Sequence, residues 1–282
     1  RYKSAPKGKR VKLVIKGHTI TVRKGTSDLG VAVSCLGGEF ESLRYLLPEN
    51  YGGIIVDAGG YIGTATIALK DIFPNAKLIV IEPSSENLEV LKYNVANLQN
   101  VKIMHGALVG TSEKSIQLNN RETGEWGFTV VAKPSDTPNA SFIQETPAFR
   151  LSDLVEEGEK IGLLKLDIEG GELSLLQHDM ESLRNIDAVF AELHDRIVPG
   201  CVEKFFEFSK DRILIKDKGE KFGVTSQIGN LNFNLGYLNN NRNNDGFFAD
   251  IKLVVPLGNT NEKKSEVRTE SSQYVSVREK LY

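Results

Sequence analysis

Cysteine is scarce in this sequence: its 282 residues contain two, Cys35 and Cys201, far apart in the chain. That leaves neither a disulfide framework nor the paired-cysteine spacing of a zinc site. Long apolar runs are missing too. None approaches the roughly 20 residues needed to cross a bilayer, and there is no secretory core segment. Positive charge is not in excess either, with 35 Lys and Arg against 37 Asp and Glu for a formal net charge of −2. Without a basic field or a basic stripe interleaved with aromatics, a nucleic-acid backbone is a disfavoured partner. These absences predict a soluble, cytoplasmic chain with no membrane span, while a leader or anchor ahead of Arg1 is left open.

What is present points to an α/β domain with a substantial core, given 40% hydrophobic residues. Residues 1–10 form a basic lead-in without apolar periodicity. Residues 11–51 begin with VKLVIKGHTITV, which alternates around Lys16-Gly17-His18 like a hairpin, and continue as a helical extension. From residue 52 to 257 the pattern is strand, glycine or proline punctuation, helix, strand, which argues a parallel sheet covered by helices. Strands are predicted at Ile54–Val56, Leu78–Ile81, Val101–Met104, Ile161–Leu166 and Ala188–Leu193. The clearest helix carries Leu88, Leu91, Val95 and Leu98 on one face, with Ser84 as its cap. Two polar segments, 119–146 and 225–245, are candidate substrate walls. FFADIKLVVP, from Phe247 to Pro256, reads as a strand closing the sheet, and 258–282 as a polar tail.

The stretch VDAGGYIGTATIAL, starting at Val56, places an acid and three glycines between a strand and a helix. A dinucleotide fingerprint would need glycine at 58, 60 and 63, but position 58 is Ala58. Asp57 would also repel a pyrophosphate. The spacing suits a cofactor that is cationic at its amino-acid end, and S-adenosylmethionine is such a molecule. On this reading Asp57, Gly59, Gly60, Tyr61 and Gly63 contact the cofactor. Glu82 ends the next strand, in LIVIEP, where a carboxylate accepts ribose hydroxyls, with Pro83 and Asn87 beside it. His105, Gly106 and Ala107 follow the third strand and are expected against adenine.

With these pieces in register, the chain resembles the FkbM family of S-adenosylmethionine-dependent methyltransferases. The resemblance is carried by VDAGGYIG, VIEPSSENLEVLKYNV, KIMHGALVG, LLKLDIEGGELSLLQ and AVFAELH, and upstream by RKGTSDLGVAV and GGEFESL. It covers roughly Val22 to His194. It implies a Rossmann-like class I methyltransferase fold, with a mostly parallel seven-stranded sheet and helices on both faces. It also implies O-methylation, typically of a sugar hydroxyl in a glycan, glycolipid or natural product.

Ligands of open α/β sheets sit beyond the carboxyl ends of the strands. This nominates Asp167, Glu169 and Glu172 in LDIEGGE, and Glu192 and His194 in AELHD. Asp167 is expected to orient the cofactor or acceptor, whereas Glu169 and Glu172 could equally cap the following helix. His194 is the expected general base, because an imidazole needs little tuning to accept a proton at neutral pH. Asp167, Glu192 and His194 also offer oxygen and imidazole ligands to Mg²⁺ or Mn²⁺, a less favoured addition because no diagnostic spacing announces it. No Asp/Asn-Pro-Pro-aromatic block and no Pro-Cys nucleophile occurs, so oxygen is the expected target. A nicotinamide-dependent oxidoreductase, a non-catalytic S-adenosylmethionine-binding module and an RNA methyltransferase are the rival readings.

Overall fold

The computed structural model describes residues 2–48, 50–216 and 221–225. It opens with a hairpin, β1 (Arg10–Ile15) and β2 (His18–Arg23), in register from Arg10↔Arg23 to Ile15↔His18. Lys16 and Gly17 form its two-residue turn, both at positive φ, as the twist of such a hairpin demands. Helix α1 (Asp28–Ser34) follows and runs on into two irregular helical turns, Cys35–Glu39 and Glu41–Tyr45.

The alternating unit then begins: β3 (Ile54–Ala58), α2 (Thr64–Ile72), β4 (Lys77–Glu82), α3 (Ser85–Val95) and β5 (Val101–His105). Pro74 lies just beyond α2, and a residue preceding proline is biased out of helical geometry, so the helix stops there. The Ser84 hydroxyl caps α3 by accepting from the amide of Asn87 at 3.3 Å. Leu88, Leu91 and Val95 are buried, as their spacing predicts, and Leu98 packs against the same cluster from beyond the helix end.

Short β6 (Ala107–Leu108) leads to β7 (Ser115–Asn120) and β8 (Ser141–Phe149), which form a separate three-stranded sheet in the order β6-β8-β7. Strands thus claim both ends of the polar segment 119–146. The cause is visible in β8, where buried Thr146 and Ala148 alternate with exposed Glu145 and Pro147. The chain then returns through β9 (Ile161–Leu166), α4 (Glu172–His178), α5 (Met180–Arg184), β10 (Ala188–Glu192), α6 (Cys201–Ser209), β11 (Ile213–Lys216) and β12 (Lys221–Thr225).

The main sheet has seven strands in the order β11-β12-β10-β9-β3-β4-β5. Only β12 runs against its neighbours, so the sheet is mostly parallel, as the resemblance implies. The strands β11 and β12 are additions to those predicted. Phe247–Pro256, the expected closing strand, lies outside the described residues, as do residues 226–245 and the tail 258–282.

Period-two alternation splits the core between the two faces. Ile54, Val56, Leu164 and Leu166 pack with Leu175, Leu176 and Phe205 of α4 and α6. Ile55 and Leu163 face Leu69, Phe73 and Phe40 on the other side. Ile20 and Val22 of the hairpin join Ile67, Val80 and Leu91 in one cluster, so the N-terminal extension shares the core of the sheet. The chain winds outward from β3 to β5 and then returns to β9 beside β3, which makes the carboxyl ends of β3 and β9 the topological switch point. Among the described residues, no helix is long and apolar enough to cross a membrane.

Candidate functional site

A cavity of about 220 Å³ opens at the switch point. Its floor is the glycine turn after β3. Gly59 sits at φ +82°, and a Cβ there would fall 1.9 Å from the carbonyl oxygen of Asp167, so only glycine lets the two backbones meet. The amides of Gly59 and Gly60 donate to the carbonyl of Ile81 at 3.1 and 2.9 Å, and that of Tyr61 donates to Glu82 Oε2 at 2.7 Å. Three donors that would cradle a pyrophosphate in a dinucleotide site are therefore consumed inside the protein.

Gly59, Gly60, Tyr61, Glu82, Pro83 and Asn87 line the cavity, as do Gly106, Ala107 and Asp167. Three residues expected on the cofactor do not. Gly63 instead packs against α3, where a Cβ would come within 2.8 Å of Val95. His105 turns aside, its Nε2 3.1 Å from the carbonyl oxygen of Pro83 and 3.4 Å from Gln144 Nε2. Asp57 is fully buried beneath the turn, because its position in β3 points it to the α2 side with Ile55. There Asp57 Oδ2 accepts from Thr66 Oγ1 at 2.7 Å, and Oδ1 lies 3.3 Å from the ammonium of Lys165. The counter-charge of Asp57 in the structure is therefore a lysine of β9.

Burial opposes the Lys165 charge, yet Asp57 and then Asp167 outweigh it and hold the ammonium above the usual lysine range. Its Nζ donates to the carbonyl of Gly59 at 2.9 Å, tying β9 to the turn. Glu82 accepts from Tyr61, from the amide of Ser84 at 2.9 Å and from Asn87 Nδ2 at 3.2 Å. Burial dominates these bonds and pushes its carboxyl up to about 7.

Behind Asn87 stands a network the sequence did not disclose. Arg23 Nη2 donates to Asn87 Oδ1 at 2.8 Å, and Arg23 grips Asp28 through Nε and Nη2 at 3.0 and 2.9 Å. Tyr61 Oη donates to the same Asp28 at 2.5 Å. The network fixes the hairpin and α1 to the cavity wall. Its only sequence signal is the Arg23 and Asp28 pair in RKGTSDLG.

The opposite wall carries acids. Glu192, Asp167 and Glu169 line the cavity. Glu169 adopts φ +52°, rare for a residue with a side chain. Its Oε2 accepts from buried Arg121 at 2.5 Å, and its carbonyl accepts from Thr129 Oγ1 at 2.5 Å. These bonds pin the 121–140 segment onto the loop after β9, and Trp126, Phe128 and Val130 of that segment complete the cavity. Burial lifts the Glu169 carboxyl to about 7, and Asp167 and Glu172 add to the rise. Glu172 accepts from the amides of Ile168 and Gly170 at 3.0 and 2.9 Å, so it holds the loop that precedes α4.

His194 lies behind these acids and does not line the cavity. Its Nδ1 is 2.9 Å from Glu172 Oε1, while Nε2 lies 3.6 Å from Glu169 Oε1 and 3.8 Å from both Asp167 Oδ1 and Glu192 Oε1. Burial lowers its proton affinity, but Glu172, Glu169 and Asp167 outweigh that and push it up to about 9. His194, the expected general base, is thus shielded from the cavity, and the carboxylates around it hold its proton affinity high. Cys35 and Cys201 are driven up to about 12 by burial and offer no nucleophile.

Residues 57–221 match the family model described as Methyltransferase FkbM domain. Methyltransferase 1 of Beauveria bassiana is 28% identical over 184 residues, 58% of this chain and 71% of that protein. Methyltransferase sdnD of Sordaria araneosa is 27% identical over 222 residues, 64% of this chain and 76% of its own. Among solved structures, an rRNA methylase from Streptococcus thermophilus superposes with a TM-score of 0.39 at 13% identity, covering 66% of this chain and 91% of that one. The precorrin-6y C5,15-methyltransferase of Geobacter metallireducens gives 0.38 at 11% identity, covering 66% and 84%. The family match spans more than half of the chain, from the glycine turn to β12: this protein belongs to the FkbM family of S-adenosylmethionine-dependent methyltransferases.

Proposed function

We propose that this enzyme moves the methyl group of S-adenosylmethionine to a hydroxyl oxygen, the acceptor being a sugar in a glycan, glycolipid or natural product. The observation that carries the reading is one cavity with two chemically distinct walls. On one side Glu82, Pro83 and Asn87 meet Gly106 and Ala107; on the other stand the carboxylates of Asp167 and Glu192.

In this proposal Glu82 accepts the ribose hydroxyls, and the backbone at Gly106 and Ala107 leaves room for adenine. The methionine end runs over Gly59 toward Asp167. The acceptor hydroxyl enters from the side of Trp126 and Phe128. Its oxygen forms the new bond to the methyl carbon as the carbon–sulfur bond breaks, and S-adenosylhomocysteine leaves. The hydroxyl proton passes to Glu192 and then to water. Alignment of the two reactants can remove roughly 7–11 kcal/mol of the barrier, and proton removal adds typically 10²–10⁴-fold. Asp167 orients the acceptor.

Two measurements test the reading. Calorimetry should show binding of S-adenosylhomocysteine and none of NAD. Labelled methyl from S-adenosylmethionine should appear as an ether on members of a glycoside panel. Label on amines or on RNA, with none on hydroxyls, would overturn the oxygen assignment.

A further inference from the structure

Burying an imidazole nitrogen without a partner is costly. His194 Nε2 is such an atom: fully buried, it has no hydrogen-bond partner among the described residues. It points at carboxylate oxygens of Asp167 and Glu169 that stand 3.8 and 3.6 Å away, too far for hydrogen bonds. One donor atom from each of Asp167, Glu169 and His194 lies within 4.8 Å of the others. Donors bound to one ion at about 2.0–2.3 Å stand roughly 3–4.5 Å apart, and Nε2 lies 3.8 and 3.6 Å from the two carboxylate oxygens.

Each of the three side chains is also held from behind. His194 Nδ1 is fixed by Glu172 Oε1 at 2.9 Å, an arrangement that orients metal-binding imidazoles. Glu169 Oε2 is taken by Arg121 at 2.5 Å, with Arg196 at 3.8 Å, which turns Oε1 toward Nε2. Asp167 Oδ2 lies 3.6 Å from the Lys165 ammonium, which leaves Oδ1 on the His194 side. The unusual backbone of Glu169 is what brings its carboxylate into the group.

We propose that Asp167, Glu169 and His194 bind one divalent cation of the Mn²⁺ or Mg²⁺ type on the acceptor wall of the cavity. Two carboxylates and one imidazole form a donor set for a hard to borderline ion, and the imidazole favours Mn²⁺. Asp167 and Glu169 reach the cavity, so the ion has a face toward the acceptor. There it would polarise the hydroxyl and ease loss of its proton to Glu192, whose Oε1 stands 3.8 Å from His194 Nε2. That chemical role rests on the hydroxyl-acceptor reading; the binding site itself does not.

The test is Mn²⁺ binding to chelator-stripped protein, followed by loss of the free Mn²⁺ electron paramagnetic resonance signal. One equivalent is expected to bind. Asp167→Asn and Glu169→Gln should each weaken it at least tenfold, and Glu172→Gln by about 10–100-fold through the imidazole it orients. His194→Ala should abolish it. Circular dichroism and the Tm of each variant report whether it remains folded. Stripped protein that binds S-adenosylhomocysteine but takes up no Mn²⁺ overturns the site, as does uptake that Asp167→Asn and Glu169→Gln leave unchanged. Mn²⁺ uptake without methyl transfer to any hydroxyl leaves the site standing and rejects the acceptor instead.

Discussion

The ammonium of Lys165 lies 3.3 Å from Oδ1 of Asp57, and both side chains are buried. The acid at the head of the glycine turn thus neutralises a cation of the neighbouring strand, and the pair joins β3 to β9 at the switch point. Removing one member strands the other charge in the core, a loss of about 3–5 kcal/mol. Asp57→Ala should therefore lower unfolding free energy by that amount in urea titrations. The double variant Asp57→Asn with Lys165→Met should recover part of it. A single variant with unchanged stability and weakened cofactor binding would restore Asp57 to the ligand.

With Glu82 accepting the ribose hydroxyls, as proposed, cofactor binding should depend on pH. Burial raises the Glu82 carboxyl from 4.5 to about 7 in the empty protein. Ribose hydroxyls donating to it favour the ionised form, and binding then releases a proton. Affinity for S-adenosylhomocysteine should rise about tenfold between pH 6 and pH 8. Calorimetry in buffers of different ionisation heat reads the released proton. The empty protein changes in the opposite sense: because the folded value is raised, the Glu82 contribution to stability is complete below pH 4.5 and is lost as pH climbs through 7. Glu82→Gln should flatten both trends.

Proton removal separates Glu192 from His194. Glu192→Gln should lower kcat by about 10²–10⁴-fold and leave the Kd of S-adenosylhomocysteine unchanged. Equal losses in kcat and cofactor affinity would show that Glu192 supports the pocket and does not take the proton.

Tyr61→Phe tests the link between the hairpin and the pocket. The variant loses a hydrogen bond to the Asp28 carboxylate, a charge-assisted bond worth about 1.5–3 kcal/mol. A lower Tm together with weaker S-adenosylhomocysteine binding is expected. A lower Tm alone would confine the network to a structural role.

Gly59→Ala should be the most damaging small change in the turn. Its Cβ would meet the Asp167 carbonyl at 1.9 Å, and φ is +82°. The left-handed geometry alone costs about 1–2 kcal/mol. Loss of S-adenosylhomocysteine binding, measured by calorimetry, is expected with it.

The strands β3, β4, β5, β9 and β10 were readable in the sequence because each is a short apolar run bounded by punctuation, and α3 because Ser84 and its leucines mark one face and one end. The sheet of β6, β7 and β8 was not, since SIQLNN and SFIQETPAF pair across a long intervening segment and carry no continuous apolar run. The cavity wall from Gly59 to Asn87 was legible for the same local reason: turn, strand end and helix cap are consecutive in the chain. Arg23, Arg121 and Lys165 were missed because a charged residue reads as solvated until its partner is known, and their partners Asn87, Glu169 and Asp57 come from distant segments.

The sequence alone determined the order of strands, glycine turn and helices, and with it the family, because backbone geometry and apolar periodicity are local properties. Only the folded chain decided which charges meet. Electrostatic pairing depends on distance in space, and the tertiary structure turned Asp57 inward to Lys165 and ringed His194 with carboxylates.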